Sequence, residues 1–472
     1  MFGKRSLLVL VIFVATFLML CLMYSNSAGE LPTDVRPPSK RLSFSIGPPP
    51  PSECTCPGGS VLLKDHIPKE EYEELMQRRA KELKQHKART SSVLSRLLFA
   101  LPNSPLQYPV QGYTVRPLTP TLIPGLELHA GKRSNYKVFL DVSKGTLSTE
   151  IPGEEATVKE VGKTGLTIES SNLDVLNKLL AKVTYTSTVY HVNTADLASF
   201  KFEDHHAVFP IAIKQPQLPV LYDMGKDINS HVTIATKTFL RYPQLKVLLK
   251  SIRDFYSNIK VIIADDSLKP EPITGENVLH YIMPPAQGWF AGRNLAVSQV
   301  TTKYFLWVDD DFVFTENTKI EKLVEVMEAV PELDVVGASV EGNMFYFSLD
   351  YNEGTETDGG CLDRKSNGKF HSLPDYPQCS LASGVVNFFL ARTDAVQRVG
   401  FDPKLKRVAH SEFFMDGLGS LMVASCGHVS IGHQPRSASA DYSHFRNPAH
   451  SDSEFKLQLH FFKNHLKCIR YG

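Results

Sequence analysis

Much that would announce a function outright is missing from this chain of 472 residues. It contains no Gly-x-x-x-x-Gly-Lys loop and no Gly-x-Gly-x-x-Gly after a predicted strand. Neither a backbone cradle for phosphate nor a dinucleotide-binding turn is present, so any phosphate chemistry must rest on carboxylates and metal. Charge of one sign is also missing: 51 Lys and Arg against 50 Asp and Glu leave +1, and no basic run is long enough to hold nucleic acid, which is excluded as a partner. Cys54-x-Cys56 has no matching second Cys or His pair, which excludes the usual structural zinc site. No Asn-x-Ser/Thr acceptor with a non-proline middle residue occurs, so no N-linked glycan is expected.

What is present begins with an apolar run. Lys4-Arg5 precede an uncharged stretch from Leu7 to Tyr24, nearly long enough to cross a bilayer, and basic residues ahead of it favour a cytoplasmic N-terminus. The expectation is a cytoplasmic tail over 1–6 and an uncleaved signal anchor over 7–24, giving a single-pass type II membrane protein. A cleaved signal peptide is the alternative, but the run exceeds the usual signal-peptide core. Apart from Cys21 inside the run, the cysteines are Cys54, Cys56, Cys361, Cys379, Cys426 and Cys468. An even number beyond a membrane anchor reads as a disulfide set in an oxidising lumen. Cys379 with Cys426 is the expected intradomain pair. Cys54 and Cys56 are poorly placed to bond each other, which leaves them for Cys361 and Cys468, within one chain or across a homodimer.

Composition then divides the chain. A Pro-, Ser- and Gly-rich stretch opens a stem over 25–101, whose second part, Pro68 to about Phe99, is helical in composition and fits either a helix paired with a domain or a second copy or a plain solvated helix. Short β-prone runs (Tyr136–Val142, Leu166–Glu169, Lys182–Tyr190, Ala207–Ile213) predict a small antiparallel sandwich over 102–215. His205-His206 fall on opposite faces of such a strand and read as surface residues. After a linker the rhythm becomes strand and helix in alternation: His231–Ala235, Tyr242–Phe255, Ile259–Ala264, Phe290–Val300, Tyr304–Val308. This predicts an α/β domain over 228–472, with a parallel sheet whose ligands bind beyond the carboxyl ends of the strands.

Those ends are polar. They read Thr236-Lys237-Thr238, Asp265-Asp266-Ser267 and Asp309-Asp310-Asp311, and strand-terminal placement brings all three to one rim. Three consecutive acids after Tyr304–Val308 repel one another, so their ionised state calls for a hard divalent cation or another cation among them; a solvated acidic turn is the plain alternative. Arg293 opens a predicted helix where the macrodipole disfavours it, which hints at an anion or carboxylate nearby.

The order Val232–Thr236, Ala264-Asp265-Asp266-Ser267, Gly292-Arg293-Asn294 and Trp307-Val-Asp309-Asp310-Asp311 resembles the GT-A nucleotide-sugar glycosyltransferases with their Asp-x-Asp motif. Val232–Phe239, Gly288–Lys303, Gly384–Leu390 and His410–Gly419 look more closely like the β-1,4-N-acetylgalactosaminyltransferases, which include the ganglioside and Sda blood-group enzymes. Gly432–Ser437 and His460–Cys468 are nearer the Sda type.

The resemblance implies a GT-A fold, UDP-N-acetylgalactosamine as donor, and manganese or magnesium. Carried over by motif, Thr236 and Asp266 line the uridine pocket, Asp265 being the alternative contact. Arg293 lies near the donor, Asp309 and Asp311 hold the metal, and Asp310 acts through donor or backbone contacts. His433 is the late metal ligand, with His428 a weaker candidate. A β-linked product from an α-linked sugar nucleotide requires inversion and a general base. Glu412 is favoured, with Asp416, one helical turn on, as runner-up. Asn387 faces the sugar, and Arg436 suits the carboxylate of a sialylated galactose on glycoprotein or glycolipid. The implied location is the Golgi membrane with a lumenal catalytic domain. The rivals are another UDP-sugar donor and a catalytically silent lumenal carbohydrate-binding protein.

Overall fold

The sheet of the C-terminal half grows from segments with no polar face. A computed structural model describes residues 54–90, 105–151, 153–189, 193–222, 225–385, 387–406, 408–435, 442, 445 and 450–472. Val232–Thr238, Lys260–Asp265 and Tyr304–Trp307 lie parallel, and Val278–Ile282 extends the edge beyond Lys260–Asp265. Alternate residues feed two separate cores: Val232, Ile234, Val261, Ile263, Tyr304 and Leu306 on one face, Ala235, Ile262, Ala264, Phe305 and Trp307 on the other. Burial on both faces is why these strands read as continuous apolar runs. The edge strand Val278–Ile282 is absent from the sequence expectation because its side chains are only half-buried and leave no such run.

Helices Tyr242–Phe255, Trp289–Ser298 and Ile320–Ala329 cover the sheet. Tyr242–Phe255 accepts Pro243 in its first turn, where no intrahelical N–H bond is lost, and buries Leu245, Leu248 and Ile252 on one stripe. Beyond Tyr304–Trp307 the sheet continues through Phe389–Arg392 (antiparallel), Val335–Val340, Val423–His433 and Tyr376–Ala382. Cys379 and Cys426 face each other across the last pair and form a disulfide. Gly384–Leu390, an apolar run interrupted by a single Asn, is not one strand. Gly384–Val385 pairs with Tyr346–Thr355 in a second sheet and Phe389–Arg392 belongs to the first, so the chain must turn between them, and Asn387 does so at φ 62°.

That second sheet corrects the stem. Its order is Gly384–Val385, Tyr346–Thr355, Gly359–Ser366, Leu466–Tyr471 and Val61–Leu62, so residues from the expected stem form its edge. Leu63, Leu75 and Met76 are buried in the same core as Trp307 and Phe389. Arg79, on helix Lys69–Thr90, is buried and donates to the carbonyls of Phe461 (3.1 Å) and Leu466 (2.9 Å). Disulfides Cys54–Cys361 and Cys56–Cys468 close the arrangement within one chain. From Cys54 to the end of that helix, the chain is part of the domain, so of the two readings of the stem helix the packed one holds.

The β-rich region has its own core, centred on Val138, Leu140, Phe200 and Phe209. Six strands run in the order Tyr113–Val115, His205–Lys214, Asn193–Phe202, Tyr136–Asp141, Gly165–Ser170, Ala156–Lys159, with a smaller three-stranded sheet beside them in sequence. The pairing is antiparallel except at Tyr113–Val115. Helix Leu173–Leu180, capped by Asn172, and strand Asn193–Phe202 were not expected. Buried Asp196 accepts from the Ser143 and Lys144 amides and from the Tyr185 hydroxyl, which satisfies the carboxylate and marks it as structural. The expected anchor, 7–24, lies outside the described residues. Among the described residues, no helix is long and apolar enough to cross a membrane.

Intrachain pairing of all six cysteines outside the apolar run predicts that the full chain carrying Cys21→Ser migrates as a monomer on a non-reducing gel. A dimer band lost on reduction would refute the pairing. Replacing Cys56 and Cys468 together by Ser should lower stability by about 2–4 kcal/mol in denaturant titration.

Candidate functional site

The rim of the first sheet is where polar sequence resumes, and the register brings the three strand ends together. Thr238 lies opposite Asp265, and the Thr238 hydroxyl donates to Asp310 Oδ2 at 2.9 Å. The Leu240 amide donates to the Ser267 hydroxyl at 2.9 Å, tying the first end to the second.

The three consecutive acids have separate surroundings. Asp309 Oδ1 accepts from Trp307 Nε1 at 3.1 Å. Removal from solvent raises its pKa to about 6, Arg293 pulling the other way. Asp310 is buried and faces Arg241, whose Nη1 is 3.0 Å from Oδ1; burial still raises its pKa. Asp311 Oδ2 meets Arg241 Nη2 at 2.5 Å and His433 Nε2 at 3.2 Å. His433 arrives because Phe312–Val313 pairs with Gly432–His433 at the end of Val423–His433. Burial works against the Arg241 charge, but Asp310 and Asp311 outweigh it and raise its pKa.

The His433–Asp311 contact carries chemical information. His433 Nδ1 lies 2.5 Å from the Gln434 carbonyl, which can only accept, so Nδ1 holds the proton. Nε2 and the carboxylate oxygen it faces are then bridged by a proton, as in an ion pair, or by a cation. Their 3.2 Å separation is close to the ~3 Å between neighbouring ligands on an octahedral ion with bonds of about 2.1 Å. The second-sphere carbonyl on the other ring nitrogen is the usual companion of a metal-bound imidazole. Asp309 does not complete this set: among the described residues, the ligand atoms of Asp309, Asp311 and His433 do not gather within 4.8 Å of one another. Trp307 holds the Asp309 carboxyl instead. His428, on the same strand as His433, lies against the Cys379–Cys426 bridge.

Arg293 is 3% exposed. Its guanidinium is 3.5 Å from the Trp289 ring and 4.4 Å from the Trp307 ring, with Phe389 and Phe401 beyond. Its Nε and Nη2 have no hydrogen-bond partner among the described residues. Burial lowers its pKa to about 9, opposed by Asp309. The cation anticipated against the helix dipole is therefore held by π faces, each worth up to ~2 kcal/mol when desolvated, rather than by a direct ion pair.

Thr236, Asp265 and Asp266 stand behind the rim, at most 1% exposed. Asp265 is consumed by the Tyr242 hydroxyl (2.7 Å), His280 Nε2 (3.0 Å) and the Ser267 amide (2.9 Å). Asp266 accepts from the Gly288 amide at 2.7 Å and pairs with Lys237 Nζ at 2.5 Å. Lys237 reaches it across Gly292, where any Cβ would come within 2.3 Å of the lysine chain. The Thr236 hydroxyl has no partner among the described residues.

Glu412 opens the short helix Glu412–Asp416 and is 1% exposed. It accepts from the His410 amide at 2.6 Å, while Lys456 Nζ at 2.7 Å and His460 Nε2 at 3.4 Å reach it from helix His450–Lys463. Burial alone would raise its pKa, but His460 and Lys456 overcome that and hold it at about 2. The His410 ring packs against Trp289 at 4.6 Å, tilted by 53°, linking this carboxylate to the Arg293 cage. Asp416 does not share the position: it pairs with Lys463 at 2.6 Å. Asn387 Oδ1 is buried without a partner among the described residues, and Arg436 lies outside them.

Sequence reasoning passed over Arg241, Lys237, Lys456, His460 and both tryptophans. Arg241 had a usable signal, being a basic residue at the N-cap of Tyr242–Phe255, the same anomaly that singled out Arg293. Lys456 and His460 had none, since only the fold brings that helix to Glu412.

The Glycosyl transferase family 2 model matches residues 233–400. The chain is 47% identical over 436 residues to mouse (Mus musculus) beta-1,4 N-acetylgalactosaminyltransferase 2, covering 89% of this chain and 84% of that one. It is 48% identical over 418 residues to human (Homo sapiens) beta-1,4 N-acetylgalactosaminyltransferase 1, covering 83% and 78%. Among solved structures, S. aureus TarS 1–349 aligns at 14% identity with a TM-score of 0.31 over 43% of this chain and 60% of that one. GalNAc-T7 with UDP, GalNAc and Mn2+ aligns at 10% identity with a TM-score of 0.33 over 44% of each.

Lys456→Met should destabilise the protein by about 3 kcal/mol at pH 7 in urea titration, because Glu412 stays buried with one cationic partner fewer. The carboxylate pKa is depressed in the fold, so its stabilisation is present above the ordinary value of 4.5 and fades as pH falls toward about 2. The gap between wild type and variant should close over that window; a constant gap would show that Lys456 acts by packing alone.

Proposed function

The chain belongs to the β-1,4-N-acetylgalactosaminyltransferase family, and from that membership we propose that it transfers N-acetylgalactosamine from UDP-GalNAc, with inversion, to O4 of a sialylated galactose on glycoprotein or glycolipid. The observation that carries the metal-dependent form of this reading is the His433–Asp311 pair, an imidazole nitrogen and a carboxylate oxygen 3.2 Å apart at a strand end beside two further acids.

Asp311 and His433 would hold a divalent ion, Mn2+ or Mg2+, leaving its other positions to the donor diphosphate and water. Such an ion supplies Lewis-acid stabilisation of the charge that builds as UDP leaves. Asp309, anchored by Trp307, stands next to that position and supports it electrostatically. The uridine and ribose fall to the end of Val232–Thr238 and the Asp265-Asp266 turn. The partnerless Thr236 hydroxyl and the Lys237–Asp266 pair are groups that a small shift would offer to a nucleoside. Arg293, caged by aromatic rings, fixes Trp289 and Trp307 as a rigid wall between diphosphate and sugar. Asn387 and Arg436 are the proposed acceptor contacts, Arg436 for the sialic carboxylate.

Glu412 is the proposed base. A carboxylate held at about 2 by a neighbouring ammonium is a poor proton acceptor. It takes the O4 proton once the acceptor hydroxyl displaces Lys456 from Oε1, which restores an ordinary carboxylate basicity as the oxocarbenium-like centre forms. The proposed setting is the Golgi lumen, with the 7–24 segment as membrane anchor.

Release of UDP from a panel of sugar nucleotides, with and without manganese, tests the assignment: UDP-GalNAc alone should turn over, and only with metal. Turnover of another donor would reassign the sugar, and turnover of none would make this a binding protein. Glu412→Gln should lower kcat by about 100-fold at unchanged donor affinity. Normal turnover would move the base elsewhere.

A further inference from the structure

Arg241 shares one oxygen with the proposed metal. Its Nη2 lies 2.5 Å from Asp311 Oδ2, the atom that also faces His433 Nε2, while Nη1 holds Asp310 at 3.0 Å. The guanidinium is aimed there by construction. Leu240, directly before it, turns the chain at φ 56°, a conformation costly for a leucine, and the arginine plane packs over Tyr442 at 5.0 Å. A divalent ion bound by Asp311 and His433 would share Asp311 Oδ2 with Arg241, and the repulsion between two cations held on one carboxylate oxygen sets them in competition for it.

We propose that Arg241 is a resident counter-cation which holds Asp311 until the donor arrives, so that metal and nucleotide bind together rather than in either order. This rests on the metal reading of Asp311 and His433 given above. With the ion in place, Arg241 keeps Asp310 through Nη1 and turns its freed Nη2 to the donor diphosphate, for which a planar guanidinium is suited. Without donor, removing Arg241 from Asp311 has no compensation, and the ion alone competes poorly. The apparent metal affinity of the free protein is reduced by the fraction of molecules in which Asp311 is available.

The test is calorimetric titration of Mn2+ into the full-length protein in detergent, with and without UDP. Wild type should bind Mn2+ weakly alone and much more tightly with UDP. Arg241→Met should bind Mn2+ alone about 10-fold more tightly than wild type, as expected if Arg241 leaves roughly a tenth of the sites competent, and should lose most of the UDP enhancement. Equal affinity of wild type and Arg241→Met for Mn2+ alone, with UDP-enhanced binding intact and abolished by Asp311→Asn, would overturn the role of Arg241 while sparing the metal site. No Mn2+ binding by any form under any condition would overturn both. Should Arg241→Met fail to fold because Asp310 is left uncompensated, Arg241→Lys serves: one ammonium retains a charge but cannot span both acids. Tighter binding of Mn2+ alone to that variant supports the proposal, and unchanged binding opposes it.

Discussion

Carboxylates at the end of a buried sheet must be matched by cations or hydrogen-bond donors, and most of the site follows from that requirement. Asp265 has Tyr242 and His280, Asp266 has Lys237 and the Gly288 amide, Asp310 and Asp311 have Arg241, and Glu412 has Lys456 and His460. Nearly every acid with a proposed role in chemistry is already partnered in the free protein. Binding of substrates is then an exchange of partners rather than the filling of an empty acidic cleft. Such exchange adds little net charge burial, and it ties each ligand's affinity to the partner it must displace.

Arg293 shows the other solution. It has no direct carboxylate partner among the described residues and is stabilised instead by the only two tryptophans in the chain, one at the start of its own helix and one at the end of the strand that leads to Asp309. Trp307 also donates to Asp309, and Trp289 packs against His410, whose amide holds Glu412. The Asp309 end and the Glu412 end of the site are therefore connected through one packed aromatic cluster, which resists deformation as a chain of flexible polar contacts would not.

Periodicity made the central sheet legible, because strands buried on both faces leave continuous apolar runs, and acids at their ends stand out against that background. The same logic hid Val278–Ile282, an edge strand with half-exposed residues, and Asn193–Phe202, whose Asp196 and Lys201 interrupt the pattern. The break at Asn387 was unreadable because both halves are apolar and only their membership of different sheets requires the turn. In the site, the need for a cation among Asp309, Asp310 and Asp311 was evident from charge alone, but its identity as Arg241 was not. Distance in sequence carries no signal for a contact made by tertiary structure. Lys456, His460 and Arg79 were missed for that reason, and the apolar Leu75 and Met76 left the stem helix equally compatible with packing on a domain and with solvation.

The pairing of Val61–Leu62 with Leu466–Tyr471 bears on how the protein is made. Cys56 and Cys468 are separated by 412 residues, so at ordinary elongation rates the first waits as a free thiol on the order of 20–80 s before the second is even synthesised. The edge strand beside it has no partner for the same interval. Any non-native bond that Cys54 or Cys56 makes within that interval must be exchanged before the native pairs can form, so thiol–disulfide exchange is built into the topology of this sheet edge.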